Sequence, residues 1–373
     1  MNLFATPAIV YFPRPGRLTA GVQSRLRSPD IDRTTVASIL GEDYGLEITA
    51  PLENLPNTRR NRNLIVHTSG GKKVFKLYRH DWRPLTIDFE HSILQRLAAL
   101  ESPAPRLTAA RDGRTWVERG GERFCLFEFI DGINYSSAFL LRAHRLALTA
   151  LLGSILARIH HDLAGFQPAG RHHLGFADYA GARPRDVAWH ATRVVELSAA
   201  SAELIDPIDR GHAAWLVARG DSIVAEMARL DEQLTGAHLP RLVIHGDYGL
   251  HNLVVHALNR ATPVDFELAR IEWRLSDLAS CLSKMRYASG AYDFEGMRWF
   301  MKGYQDVYPV DRDEWRWFPD ALRYYRLMGA VGYWNSYFET NGPTRKLLSA
   351  RDALEQADWG REHPREIDEL GGF

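Results

Sequence analysis

His245-Gly246-Asp247-Tyr248-Gly249-Leu250-His251-Asn252 is the stretch that decides how this chain reads. A carboxylate, Asp247, precedes an amide, Asn252, by five positions on one tight loop. Val264-Asp265-Phe266 follows, with a second carboxylate at the end of a short apolar run. That order suits a base that orients and deprotonates a hydroxyl, then an amide and a carboxylate that hold Mg²⁺ on phosphates. Kinase-type phosphoryl transfer needs those three groups. The apolar runs at 242–245 and 253–256 read as strands on either side of the loop, the arms of a hairpin. Two other readings of the same residues stay open. One is a plain turn, because Gly, Asp and Asn favour turns. The other is a transition-metal site with His245, Asp247 and His251 as ligands, which leaves Asn252 and Asp265 without a task.

The segment from Asp247 to Asp265 resembles the aminoglycoside phosphotransferase and choline kinase group of small-molecule kinases, homoserine-kinase-like members included. Their shared pattern is His-Gly-Asp, four residues, Asn, then an Asp followed by Phe. The resemblance implies Asp247 as catalytic base, with Asn252 and Asp265 as Mg²⁺ ligands. Protein kinases are more distant: Asp265-Phe266 is followed by Glu267 rather than Gly, and no clear Ala-Pro-Glu segment follows. A small molecule rather than a protein is therefore the expected acceptor.

Length and composition agree with two lobes. The chain has 373 residues, 45% apolar and 25% charged, and a formal net charge of zero. Nothing in that balance points to a nucleic-acid partner. Two cysteines, Cys125 and Cys281, imply no disulfide framework, and a reducing cytoplasm is the expected location. No apolar run reaches membrane-spanning length, so no membrane partner is expected. Residues 1–29 carry Arg14, Arg17, Arg25 and Arg27 but lack the apolar core of a secretory signal. They read as a loosely packed extension or an organelle transit peptide.

The expected architecture is α+β, a protein-kinase-like two-lobed fold. An extension with a first helix covers 1–45. An N-lobe at 46–130 forms a small antiparallel sheet with one helix. A larger, mainly helical C-lobe covers 131–373. In the N-lobe, strands are expected at 46–55, 63–68 and 73–78, with a tight turn at Ser69-Gly70-Gly71. A helix follows at 87–100, then two strands at 116–117 and 124–130. In the C-lobe, residues 142–161 are apolar on much of the circumference and read as the central buried helix. Helices at 187–197 and 213–234 precede the catalytic loop. Further helices at 277–286, 296–308, 314–335 and 345–356 follow it.

A kinase also needs a cation on the α- and β-phosphates and an acidic partner for it. Lys76, inside the apolar strand Val74-Phe75-Lys76-Leu77, wants a counter-charge, and Glu90 on the next helix can give it. The resemblance assigns the pair the same roles. Lys76 also reads as an edge-strand lysine that discourages aggregation, and Glu90 as part of a solvated helix face. The loop that would cover the phosphates, Pro56 to Asn63, has no glycine. Arg60 is its candidate phosphate contact. The segment Leu126 to Gly132 resembles the hinge between lobes, where adenine would use backbone groups at Glu128 and Ile130. Ile65, Phe75 and Phe127 could sandwich the base. Asp277 resembles the family's helix-start aspartate that braces the loop, and also reads as an N-cap. His160 reads as a core histidine bonded to backbone.

The expected reaction moves the γ-phosphoryl group of ATP, with Mg²⁺, to a hydroxyl of an amino alcohol, an aminoglycoside or a sugar-like molecule. Glu267, Glu272, Trp273, Tyr287, Tyr333, Trp334, Tyr337 and Glu339 are acceptor-side candidates by region. A pseudokinase-like module that binds a nucleotide or metabolite without turnover is the reading from another class.

Overall fold

The computed structural model describes residues 31–55, 61–79, 82–135, 140–171, 186–287, 290–340 and 342–372. The first lobe is an antiparallel sheet of β1 (Glu53–Asn54), β2 (Arg62–Thr68), β3 (Gly71–Leu77), β4 (Leu107–Thr108), β5 (Trp116–Arg119) and β6 (Glu122–Glu128). The order is β1-β2-β3-β6-β4, with β5 also on β6. The period of two along the strands sorts the side chains. Phe75, Leu77, Phe124 and Leu126 face outward, under a first helix α1 (Arg33–Ile39) and the π-helical turn Leu40–Tyr44. Lys76, between Phe75 and Leu77, therefore takes the opposite face. Its pairing partner there, Cys125, packs beneath α2 (Pro84–Ala99). Asp32 caps α1 by accepting the Thr35 N–H at 2.8 Å.

One strand is shorter than the sequence suggests. The expected run over 46–55 is only β1 and a lone bridge between Ile48 and Thr68. Pro51 lacks the donor a ladder needs and interrupts it.

The second lobe is built around α3 (Arg142–Asp162), whose Leu148, Leu152, Leu156 and Ile159 are fully buried. Three helices precede the loop segment: α4 (Val187–Ala202), α5 (Pro207–Val217) and α6 (Gly220–Gly236). After it come α7 (Arg274–Leu282), α8 (Phe294–Gln305), α9 (Arg312–Trp315), α10 (Phe318–Glu339) and α11 (Arg345–Glu355). Helix α8 lies directly on α3. A Cβ on Gly153 would sit 1.9 Å from the Phe300 carbonyl oxygen, and one on Gly303 1.9 Å from that of Ala150. Among the described residues, no helix is long and apolar enough to cross a membrane.

The expected hairpin around the loop is not the one that forms. Strand β8 (Arg241–Ile244) pairs with β11 (Arg270–Trp273), register Ile244 to Arg270. Strand β9 (Leu253–Ala257) pairs with β10 (Arg260–Pro263) and with β7 (Ile133–Asn134). Apolar alternation identifies strands but not their partners. The true hairpin, β9–β10, starts after Asn252 and ends before Asp265, and the Val264 N–H donates to the Asn252 carbonyl at 2.8 Å. Asn252 and Asp265 are thus the two feet of one hairpin.

Candidate active site

The loop leaves β8 at His245 and is held from below by Asp277. Its Oδ2 accepts the His245 N–H at 2.7 Å, its Oδ1 the Gly246 N–H at 2.8 Å, and His160 Nε2 lies 3.1 Å from Oδ2. Asp277 is fully buried, and these donors hold its carboxyl below the usual range against the opposing effect of burial. It caps nothing in its own helix, since the N-cap residue of α7 is Trp273. His160 bonds side chains rather than backbone: its Nδ1 is 2.7 Å from the Tyr304 hydroxyl. Gly246 has φ +83°, and a Cβ there would meet the Leu268 carbonyl oxygen at 2.1 Å, so no other residue fits.

His245 is 1% exposed, with Nε2 3.0 Å from the Val264 carbonyl and Nδ1 facing the Asp247 N–H. Both ring nitrogens are occupied by the backbone, which removes the transition-metal reading. Among the described residues no cluster of three or more His, Cys, Asp or Glu side chains could hold a metal ion unaided.

Asp247 points into the cleft with three partners. Lys284 Nζ donates to Oδ1 at 2.6 Å, His251 Nε2 lies 3.2 Å from Oδ2, and Asn252 Nδ2 is 3.3 Å from the same oxygen. Burial alone would favour the protonated carboxyl, but Lys284 and His251 hold it far below the usual carboxylate range. Lys284 was not legible in the sequence. It lies 37 positions from Asp247, and no short-range spacing marks it.

Asp265 is a non-glycine residue at φ 69°, a costly conformation that clusters at functional sites. Burial first, then the neighbouring Glu267, push its carboxyl up to about 8, while Lys76 opposes them. An acid crowded by the protein yet open to solvent, with so little positive charge beside it, fits a divalent cation. With the Asn252 amide as a further oxygen donor, the residues suit Mg²⁺ that completes its shell from phosphates and water.

On the opposite wall, Lys76 Nζ donates to Glu90 Oε1 at 3.1 Å and Oε2 at 3.4 Å, with both side chains under a tenth exposed. Burial disfavours the ammonium, but Glu90, Glu267 and Asp265 outweigh it and raise its pKa. The edge-strand and solvated-helix readings of these two residues fall, because both are buried. The Tyr78 hydroxyl also donates to Glu90 Oε2 at 3.1 Å. The two walls therefore interact electrostatically: Lys76 feels Asp265, and Asp265 feels Asp247.

At the hinge, the Glu128 N–H already donates to the Arg106 carbonyl at 2.9 Å, and its carboxylate accepts from Lys73 and Thr108. Of the two expected hinge positions, Ile130 is the one whose backbone carries no hydrogen bond within the described chain. Phe75 cannot sandwich a base, since it lies in the outer core; Phe127 lies on the cleft side of the sheet. Arg60 falls outside the described residues. Of the acceptor-side candidates, Glu267 accepts a hydrogen bond from Asn61 Nδ2 across the lobes. Trp273 and Trp334 are core, and Tyr337 bonds Asp209. Tyr333, 38% exposed, lies on the side of Asp247 and Lys284.

A two-lobed fold with this charge arrangement is that of a kinase-type phosphotransferase with a hydroxyl acceptor. A model of the phosphotransferase enzyme family (APH) matches residues 52–318, and the chain belongs to that family. Among curated relatives, the homoserine kinase of Rhodospirillum rubrum is 27% identical over 76% of this chain and 79% of its own. That of Brucella anthropi is 24% identical over 87% and 90%. Among solved structures, a spectinomycin phosphotransferase in complex with ADP and spectinomycin superposes with TM-score 0.59 at 13% identity, over 92% of this chain and 98% of that one. A microcompartment-associated aminopropanol kinase gives 0.57 at 18%, over 91% and 99%.

Proposed function

We propose that the chain transfers the γ-phosphoryl group of ATP to the hydroxyl of a small amino alcohol, with homoserine the leading acceptor. One observation carries the reading: the Lys76–Glu90 pair of the first lobe, buried and 3.1 Å apart, acts on Asp265 of the second, which ends the hairpin that starts at Asn252, the residue in contact with Asp247. The homoserine kinases among the relatives support the acceptor. Residues 46–130 supply the nucleotide wall and 131–373 the catalytic wall.

Lys76, oriented by Glu90, holds the α- and β-phosphates. Ile130 offers backbone groups to the adenine, with Glu128 structural behind it. Asn252 and Asp265 would hold Mg²⁺, which would supply positive charge to the phosphates when bound. Asp247 accepts a hydrogen bond from the acceptor hydroxyl and takes its proton as the phosphoryl departs. Because Asp247 is held strongly ionised, its contribution is mainly alignment, as suits a loose transition state.

Acceptor-dependent ADP release with homoserine, 3-aminopropan-1-ol and an aminoglycoside tests this. Asp247→Asn should lower kcat by about 10²–10⁴-fold. Near-normal turnover in that variant would remove Asp247 from the role. ATP binding without transfer to any hydroxyl would favour a binding module instead.

A further inference from the structure

The partner of Asp247 that no motif marks is also the most informative group on the acceptor side. Lys284 follows α7 by two residues, and its side chain is 27% exposed. Lys76, Glu90, Asp265 and Glu267 sit together on the nucleotide side. Lys284 approaches Asp247 from beneath α10. The Tyr325 hydroxyl lies 2.9 Å from Ser280 Oγ, one turn before Lys284, and both Tyr325 and Tyr333 act on the lysine's charge.

Tyr325, Gly329 and Tyr333 are spaced by four and form one stripe of α10, with Gly329 between the two rings. A Cβ on Gly329, or on Gly332 beside it, meets nothing within 4 Å. A glycine inside a helix costs about 1 kcal/mol relative to alanine, and no packing among the described residues requires one at either place. Arg326, three positions before Gly329, turns instead to α11, where its Nη2 donates to the Asp352 carbonyl at 3.2 Å and to Gln356 Oε1 at 3.0 Å. The open notch between Tyr325 and Tyr333 therefore lies on the side of α10 that acts on Lys284 and Asp247.

Resting on the phosphotransfer reading above, we infer that Lys284 is a specificity-determining residue whose ammonium binds a carboxylate on the acceptor, while the acceptor's hydroxyl bonds Asp247 and its carbon chain fills the notch at Gly329. The substrate class is then a small hydroxy acid, including the zwitterionic hydroxy amino acids. With Lys284 on one oxygen of Asp247 and the hydroxyl on the other, a chain of about three or four carbons spans the two. The same ammonium repels polycationic sugars. An amino alcohol without a carboxylate leaves it without a new partner.

The test compares L-homoserine with 3-aminopropan-1-ol, which lacks only the carboxylate. The readouts are kcat/KM for each, the KM for ATP, and calorimetric binding of homoserine. Wild-type protein should prefer homoserine, and Lys284→Met should cut the homoserine-to-aminopropanol ratio of kcat/KM by at least about 30-fold, the scale of a lost charge-assisted contact. The ATP KM should stay within about 2-fold. Lys284→Arg should restore part of the ratio. Gly329→Val should raise the homoserine KM with the ATP KM unmoved. Equal losses on both acceptors would overturn the inference and place Lys284 at the phosphoryl group. A wild-type preference for aminopropanol would overturn it too. If no acceptor is turned over, the kinase reading fails by itself. Homoserine binding then still decides the inference, which stands if Lys284→Met abolishes it and falls if the variant binds as wild type does or if wild type does not bind.

Discussion

Asp277 accepts hydrogen bonds from two backbone N–H groups of the loop and faces the His160 ring, all inside the core. Truncating it strands those donors and removes the brace from beneath Asp247. Asp277→Ala should cost about 3–5 kcal/mol, the scale of breaking a buried charged network, with a fall in kcat besides. An unfolding free energy from urea titration within about 1 kcal/mol of wild type would show that the loop holds its own shape. His91 belongs to a buried network of the other lobe, between the Tyr78 hydroxyl at 2.8 Å and the Thr115 hydroxyl at 2.8 Å. Burial, then the charge of Lys76, depress its pKa to about 3. A base depressed on folding is neutral in the native state while the unfolded chain protonates below its ordinary pKa of about 6.5. Its contribution is therefore whole above that value and is lost as pH falls toward 3. Asp265, raised to about 8, works in the opposite sense over part of the same range, so wild-type stability alone would not isolate His91. The comparison with His91→Gln does. The gap in unfolding free energy between wild type and variant should narrow by about 2 kcal/mol from pH 7 to pH 5. A constant gap would mean His91 is protonated in the fold.

The helices α3 and α8 meet through Gly153 and Gly303, each against the other's carbonyls. Gly303→Ala forces the backbones apart, because the clash is with a carbonyl and not with a movable side chain. The expected cost is about 1–3 kcal/mol, read as a fall in Tm; an unchanged Tm would mean the helices slide freely. Neither glycine could be read from the sequence, since α3 shows only its apolar rows, and a close approach is a property of two helices. The same limit explains the hairpin. Period-two runs at 242–245 and 253–256 mark strands, yet their partners, β11 and β10, are set by chain reversals at 258–259 and 264–269. Helix breaks were also missed where apolar spacing continues across them: 213–234 divides before Gly220, and 314–335 divides before Phe318-Pro319.

At the scale of the molecule, the plan of sheet, loop and helical lobe was legible, and so were the pairing of Lys76 with Glu90 and the placing of Asp247 beside Asn252. Each carries chemistry at a spacing set by one loop or one strand. Lys284 and the Glu267 contact were not legible as site features, because both are made by segments far apart in sequence. The Glu267 contact bears on how the lobes work together. Asn61, 7% exposed at the start of β2, donates its amide to Glu267, two residues past Asp265, and its carbonyl oxygen accepts the Arg79 N–H at 3.0 Å. It thus ties the edge of the first lobe's sheet to the acids Asp265 and Glu267, which on the proposed function face the phosphates. Removing the amide takes one donor from Glu267 beside Asp265, breaks the contact between the lobes, and loosens the first lobe over the cleft. All of these act on the nucleotide, and none touches Lys284 or the notch at Gly329. Asn61→Ala should therefore raise the KM for ATP by about 3–10-fold, the scale of one lost side-chain hydrogen bond to a charged group, while the acceptor KM holds. Nucleotide added at saturation should also raise the Tm of the variant less than that of wild type at equal concentration, because stabilisation follows the ratio of ligand to Kd. An acceptor KM that moved while the ATP KM did not would place Asn61 and Glu267 on the acceptor's side of the cleft.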